Sequence, residues 1–289
     1  MTRLLVTGAT GFIGSELLRQ IQPGAYEIYA VSRHAPPERT ADVTWYEIDL
    51  LDEAAVKALF AQVAPTHLIH LAWDPGGPDY RTTARNLDWL VAGVTLARAF
   101  RENGGRRAVF AGTCAEYERE LSLYAACKAA LAETVSAYAY ADGWHFAWGR
   151  IYWPYGPRGA PHRLVPYVIE RLLSGEVARC SPGVQTRDFV HVSDVANGML
   201  TLLEGDVDGP ADVGTGEGTR VRTLVESIAQ QIGREDLIRF DGATPPAGEP
   251  DVVVASPAVL RSAGWHPRPL LEGLAETIDW YRARERNPA

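Results

Sequence analysis

Close to the start of the chain, Thr7-Gly8-Ala9-Thr10-Gly11-Phe12-Ile13-Gly14 follows a short apolar segment and places a glycine at every third position. Gly8 and Gly11 accept backbone angles that a side chain forbids, which lets the main chain approach a bulky anion closely. A helix opening at this turn presents N–H groups with no intrahelical partner and the positive end of its dipole, an arrangement suited to a pyrophosphate. Gly14 allows the helix to pack tightly on the strand before it. A glycine triplet alone is a weak signal, but a strand, this turn and a helix in that order make it a strong one. The turn residues Gly8, Thr10, Gly11, Phe12 and Ile13 are therefore candidate dinucleotide contacts.

The rest of the first half is consistent with that start. Arg3–Thr7, Glu27–Ser32, His67–Leu71, Arg107–Gly112 and His145–Gly149 have the length and apolar character of strands. Between them, Ser15–Ile21, Glu53–Val63, Ala84–Glu102 and Leu123–Tyr140 have helical length and spacing. Asp52 is placed as an N-cap, and Asn103-Gly104-Gly105 as a helix stop. Such alternation predicts an α/β fold, a Rossmann-type doubly wound parallel sheet with helices on both faces. From Ile151 prolines cluster at 154, 157, 161 and 166, then at 245, 246, 250, 257, 267 and 269, with shorter helices at Val221–Ile232 and Leu270–Arg282. The expected organisation is a dinucleotide-binding domain over residues 1–150, with 188–212 returning to it. A smaller α/β substrate lobe would comprise 151–187 and 213–289.

Composition narrows the function classes. A net charge of −8 argues against a nucleic-acid-binding surface, which needs clustered Lys and Arg. Three scattered cysteines suit neither a disulfide framework nor a zinc site. No metal is expected. The N-terminal sequence lacks the features of a signal peptide, and no apolar run approaches the roughly 20 residues of a membrane span, so a soluble cytoplasmic protein is expected. The helix from Ala84 either covers the sheet or forms a homodimer face.

Two further features carry chemistry. At the end of the second strand, where an acidic residue would hold a ribose 2′-hydroxyl, the chain reads Val31-Ser32-Arg33-His34, with no acid before Glu38. Arg33 offers a permanently charged planar donor set for a 2′-phosphate, so Ser32 and Arg33 favour NADP(H) over NAD(H). In Tyr124-Ala125-Ala126-Cys127-Lys128 the Tyr and Lys lie four apart, on one helix face. A phenol titrating near pH 10 becomes a usable acid and base when an ammonium and a cationic nicotinamide ring stabilise its phenolate.

With the glycines at 8, 11 and 14 and the Tyr124/Lys128 pair, the chain resembles the extended short-chain dehydrogenase/reductases, the NAD-dependent epimerase/dehydratase family. The resemblance implies an adenine contact by Asp49 and Leu50. It also implies that Leu71, Ala72 and Trp73 run beside the cofactor ribose, with Trp73 reaching the substrate. It makes Thr113, in Ala111-Gly112-Thr113-Cys114-Ala115-Glu116-Tyr117, the hydroxyl that bonds the reacting oxygen and completes a catalytic triad of Thr113, Tyr124 and Lys128. Only ten residues separate Thr113 from Tyr124, a shorter connection than relatives usually have. The resemblance continues through Arg150–Pro157, where Trp153 replaces a polar residue, and through Arg187–Val195. It implies that Trp153, Cys114 and Arg187 contact substrate, with Arg187 anchoring the diphosphate of a nucleotide sugar. His191 and Asp194 are read as structural.

Among the reactions of that family, dehydration is disfavoured, because Cys114 and Ala115 stand where dehydratases carry an Asp-Glu pair. GTCAEY is similar to the segment of deoxysugar 4-ketoreductases, so NADPH-dependent reduction of a nucleotide-linked 4-keto-6-deoxy sugar is expected. An epimerase or epimerase-reductase using Cys114 and His162 stays open. A non-catalytic NADP-sensing protein is the alternative from another class.

Overall fold

The computed structural model describes residues 2–34, 36, 42–74, 77, 79–118, 122–242 and 250–286. Glu38, Pro245 and Pro246, used in the reading above, lie outside them.

The first half builds a sheet from β1 (Arg3–Thr7), β2 (Glu27–Ser32), β3 (Val43–Glu47), β4 (His67–His70), β5 (Arg107–Thr113) and β6 (His145–Ile151). Leu4, Leu5, Val6, Leu68, Ile69, Ala108, Val109 and Phe110 are fully buried, as expected of parallel strands covered on both faces. Neighbouring strands in the order β3-β2-β1-β4-β5-β6 pair in parallel. The order reverses direction between β1 and β4. In an open α/β sheet the ligand crevice lies at such a reversal, beyond the carboxyl ends of the strands. A seventh strand, which we number with its position late in the chain, lies beside β6 and comprises Gly209–Val213.

Four helices connect these strands: α1 (Phe12–Gln20), α2 (Glu53–Val63), α3 (Arg85–Glu102) and α4 (Leu123–Asp142). Asp52 caps α2 as expected, its carboxylate accepting from Ala54 N and Ala55 N, and α3 stops at Asn103 with Gly104 at φ +86°. The core beneath α2, α3 and α4 is strongly aromatic. Phe60, Phe100, Phe110, Trp144, Phe146 and Trp148 meet mostly edge to face. Leu87 and Val91 on α3 remain exposed.

The apolar pattern did not mark β3, which only the family resemblance implied, as the third strand ahead of Asp49. Trp45 and Tyr46 sit at intermediate burial and the strand pairs on one side only, with β2, so an edge strand gave no continuous apolar run. β5 and β6 each run further than expected, and the extra pair Thr113↔Ile151 carries Thr113 to the rim of the sheet.

The chain divides into two compact units: Met1–Ile151 with Ala196–Asp212 and Ala258–Trp265, and Tyr152–Val195 with Val213–Pro257 and His266–Ala289. The second contains β7 (Trp153–Tyr155), α5 (Leu164–Leu173), β8 (Ala178–Arg179), β9 (Thr186–Arg187) and β10 (Phe189–His191). Helix α6 (Val192–Glu204) and β11 (Gly209–Val213, the seventh strand above) lead onward to β12 (Thr219–Arg220), α7 (Val221–Ile232), β13 (Ile238–Arg239), β14 (Val252–Val253), α8 (Ala258–Ser262) and α9 (Leu270–Arg286). α5, α7 and α9 enclose the second core around Val168, Ile169, Leu224, Ile228 and Leu274. α5 was not foreseen, because Pro166 suggested irregular chain. It is the third residue of the helix, where its missing N–H costs no intrahelical bond.

Candidate functional site

At the reversal point the glycines do what the turn requires. Gly8 has φ +67°, and a Cβ there would lie 2.8 Å from Ala72 N, so the β1 and β4 loops touch through a position without a side chain. A Cβ on Gly14 would lie 2.2 Å from Gly8 O, which rules out any larger residue at the turn-to-helix contact. Gly11 N donates to Gly8 O at 2.9 Å. α1 has no side-chain cap and no acidic residue in its first turn, so nothing in the helix itself neutralises its positive end. Thr10 and Gly11 are exposed, while Phe12 and Ile13 are partly buried. This bare, uncapped cradle fits the pyrophosphate of a dinucleotide.

Around it, Arg33 is exposed at the end of β2, and the buried Ser32 donates through Oγ to His34 O at 2.7 Å. Asp49 is exposed and its Oδ1 accepts from Leu51 N at 3.1 Å, with Leu50 buried beside it. Leu71 and Ala72 are tied to β1 by bonds from Leu71 N to Thr7 O and from Ala72 N to Thr7 Oγ1.

The expected triad comes together. Ser122 caps α4 by accepting from Ala125 N at 3.3 Å, which starts the helix one turn before Lys128. The Tyr124 hydroxyl lies beside the Thr113 side chain, which favours its ionised form. The Tyr124 ring is held edge-on by Trp73 and Tyr80, with centroids 6.1 and 5.5 Å away. Trp73 is itself fixed by its Nε1–H donating to Asn86 Oδ1 at 3.0 Å. The buried Lys128 ammonium donates to Ala111 O at 2.7 Å and lies 4.0 Å from the Trp73 ring centroid and 5.7 Å from that of Trp148.

Burial governs the electrostatics of this pair. Burial pushes the Tyr124 phenol above its ordinary range, and the neighbouring Thr113 side chain offsets this only in part. Burial also pulls the Lys128 ammonium down to about 7, against a smaller opposing influence from Glu116. Burial thus favours the neutral form of both groups where no cationic nicotinamide ring faces them. Next to them His70 is neutral, brought down to about 3 by burial and then by the Lys128 charge, and its Nδ1 is bonded to Thr7 Oγ1 at 2.7 Å.

The sequence reading passed over Glu116. Its carboxylate accepts from Thr113 N at 2.8 Å, from Trp148 Nε1 at 3.0 Å and from Arg150 Nε at 3.0 Å. Thr113 and Glu116 form a reciprocal capping box at the short 3-10 turn Cys114–Tyr117. The signal was present, since Thr-x-x-Glu is the spacing that such a box requires. Tyr80 and Asn86, which frame the Tyr124 ring and Trp73, carried no sequence signal.

Within the second unit, Trp153 and Arg187 meet, the guanidinium lying 5.0 Å from the indole centroid. Arg187 is buried and its Nη1 donates to the carbonyls of Thr186 and Pro250 at 2.9 and 2.8 Å. The residue beside it, Asp188, was not singled out from the sequence. It accepts from Thr215 N, Thr215 Oγ1, Gly216 N and Ala255 N, and so ties three loop residues to one buried carboxylate. His191 bonds Ser193 Oγ at 2.8 Å, and Asp194 accepts from Arg268 N and Nε, both at 3.1 Å. Cys114 is partly exposed and His162 exposed. Among the described residues no group of His, Cys, Asp and Glu could hold a metal ion, and no helix is long and apolar enough to cross a membrane.

Known proteins resemble this chain over most of its length. Residues 4–214 match the model of the NAD dependent epimerase/dehydratase family. GDP-L-fucose synthase 1 of Arabidopsis thaliana is 26% identical over 314 residues, covering 96% of this chain and 93% of that protein. The dTDP-4-dehydro-6-deoxy-D-allose reductase of a Streptomyces species is 27% identical over 320 residues, covering 98% and 97%. The crystal structure of Thermus thermophilus UDP-glucose 4-epimerase in complex with NAD superposes with a TM-score of 0.85 at 30% identity, covering 97% of this chain and 99% of that one. With the family model spanning the sheet, the glycine cradle and the Thr113, Tyr124 and Lys128 cluster, the chain belongs to the NAD dependent epimerase/dehydratase family.

Proposed function

We propose that this protein reduces the 4-keto group of a nucleotide-linked 4-keto-6-deoxy sugar, with NADP(H) as cofactor and Thr113, Tyr124 and Lys128 as the catalytic residues. The observation that carries the reading is the Tyr124 hydroxyl beside the Thr113 side chain, with Lys128, bonded to Ala111 O, one turn further along the same helix face. The dinucleotide, when bound in the cradle at Gly8, Gly11 and Gly14, supplies hydride. The Thr113 and Tyr124 hydroxyls hold the ketone oxygen between them, and Tyr124 gives up its proton to that oxygen as the carbon is reduced. Lys128 then offsets the charge left on the phenolate and holds the ribose hydroxyls of the cofactor. A phenol kept protonated by burial suits this direction, because ketone reduction consumes a proton at the oxygen. Arg33 supports the 2′-phosphorylated dinucleotide. Arg187, with Trp153, is the proposed anchor of the substrate diphosphate.

Cys114 favours a second reading, an epimerase or epimerase-reductase. It is partly exposed, follows Thr113 directly and lies near enough to Tyr124 to influence its titration. In that case Cys114 would move a proton at a carbon next to the ketone. Incubation with NADPH or NADH and a panel of nucleotide 4-keto-6-deoxyhexoses, followed by absorbance and product stereochemistry, separates the readings. Reductant consumption with one new C4 configuration supports reduction, and added inversion at C3 or C5 that disappears in Cys114→Ser supports the second reading. Binding of NADPH without turnover on any sugar would leave a sensor and overturn both.

A further inference from the structure

We propose that Glu116 is a positioning residue for the reaction: its buried carboxylate fixes the Thr113 main chain and thereby sets the Thr113 hydroxyl against Tyr124. The inference rests on the reaction proposed above and assigns a residue beyond the triad. The Glu116 side chain is only 5% exposed, and a carboxylate taken out of water is tolerated only where donors surround it. Here they come from three directions. Thr113 N supplies the rim of β5, Trp148 Nε1 supplies the fully buried centre of β6, and Arg150 Nε supplies the end of β6. The Thr113 hydroxyl in turn accepts from Ala115 N at 3.3 Å and takes part in the capping box with Glu116. A Cβ at Gly112 would lie 2.1 Å from Trp148 Nε1 and 2.8 Å from Glu116 Oε1, so the indole and carboxylate are wedged against the main chain just before Thr113.

Other groups complete the setting. Arg150 also donates to Tyr117 Oη at 2.7 Å and lies 3.7 Å from Asp212, so the carboxylate is one member of a small charged network. Facing Tyr124 and Lys128 are Thr113, Cys114 and Glu116 from the β5 rim, His70 from β4, and Trp73 and Tyr80 from the loop that follows it. The Trp148 indole lies between Glu116, which its Nε1–H contacts, and the Lys128 ammonium on its ring. Charge on Glu116 favours the protonated form of both Tyr124 and Lys128, the state that ketone reduction starts from.

The test is a double-mutant cycle of Glu116→Gln and Thr113→Val, run on the whole protein with NADPH and the ketosugar it turns over. Glu116→Gln should lower kcat by about 30-fold or more with KM and NADPH affinity within about threefold, and should add little in the Thr113→Val background. Its pH profile should shift towards loss of activity at lower pH, because Lys128 and Tyr124 lose the carboxylate that favours their protonated forms. Glu116→Asp should recover part of the loss. Amide hydrogen exchange across residues 110–118 is the companion measurement, and faster exchange confined to that segment is expected in Glu116→Gln even if no sugar is turned over. Wild-type inactivity with faster local exchange would sink the reaction and leave Glu116 only its structural hold on the Thr113 main chain. Full additivity with Thr113→Val, unchanged kcat, or parallel loss of NADPH binding would overturn the positioning role itself.

Discussion

In the proposed reaction Tyr124 and Lys128 carry the chemistry, and each makes a prediction at the residue scale. Replacing Tyr124 with Phe removes the proton donor but leaves the ring between Trp73 and Tyr80. Turnover should fall by about 10²- to 10⁴-fold while NADPH affinity, read by fluorescence titration, stays nearly intact. Near-normal turnover would remove Tyr124 from the mechanism. Lys128 has its folded-state titration lowered from 10.5 to about 7 by burial. Across that window the unfolded chain binds a proton that the folded chain does not, so this residue makes stability rise with pH from about 7 to 10.5 and contributes no such gain below. Urea unfolding of Lys128→Met should show a flatter pH dependence over the same window, and an identical slope would contradict the burial account.

At the scale of elements, two glycines show how the β-strand rims and helix starts were fitted together. In Gly14→Ala the added carbon would sit 2.2 Å from Gly8 O, against main chain that has nowhere to yield. α1 must then shift away from the turn that it caps. NADPH affinity should drop at least about tenfold, the scale expected when a wedge of about 1–3 kcal/mol is forced into a packed contact. In Gly112→Ala the added carbon meets the Trp148 indole instead, so the cost should appear as lost stability of similar size. Denaturant midpoints and dinucleotide titrations on both variants measure this division. Elements with strong local signals were legible in the sequence: the Asp52 cap, the Asn103-Gly104 stop and helix Val221–Ile232 all stand where their residues placed them. β3 and α5 were not, because an edge strand and a helix beginning around a proline lack the patterns that betray more central elements.

For the molecule as a whole, the proposed preference for NADP(H) over NAD(H) makes a prediction about stability. A ligand that binds only the native state raises stability by about 2.7 kcal/mol at a hundred times its dissociation constant. NADPH should therefore raise the melting temperature more than NADH at equal concentration, and Arg33→Glu should reverse that order. Equal shifts from both dinucleotides in the wild type would remove the case for NADP(H). The second unit has its own core and its own buried polar tie at Asp188, so each unit has an independent reason to hold its shape.

Most central strands and helices of the first half, the glycine cradle and the Tyr124/Lys128 pair were determined by the sequence alone, because each is a short-range pattern of spacing and backbone freedom. The union of Thr113 with Tyr124, the indole faces around Lys128 and the burial of Glu116 were decided only by the tertiary structure. Those depend on which residues distant in the chain exclude water from one another. A carboxylate or an ammonium takes its character from that exclusion, and no local pattern encodes it.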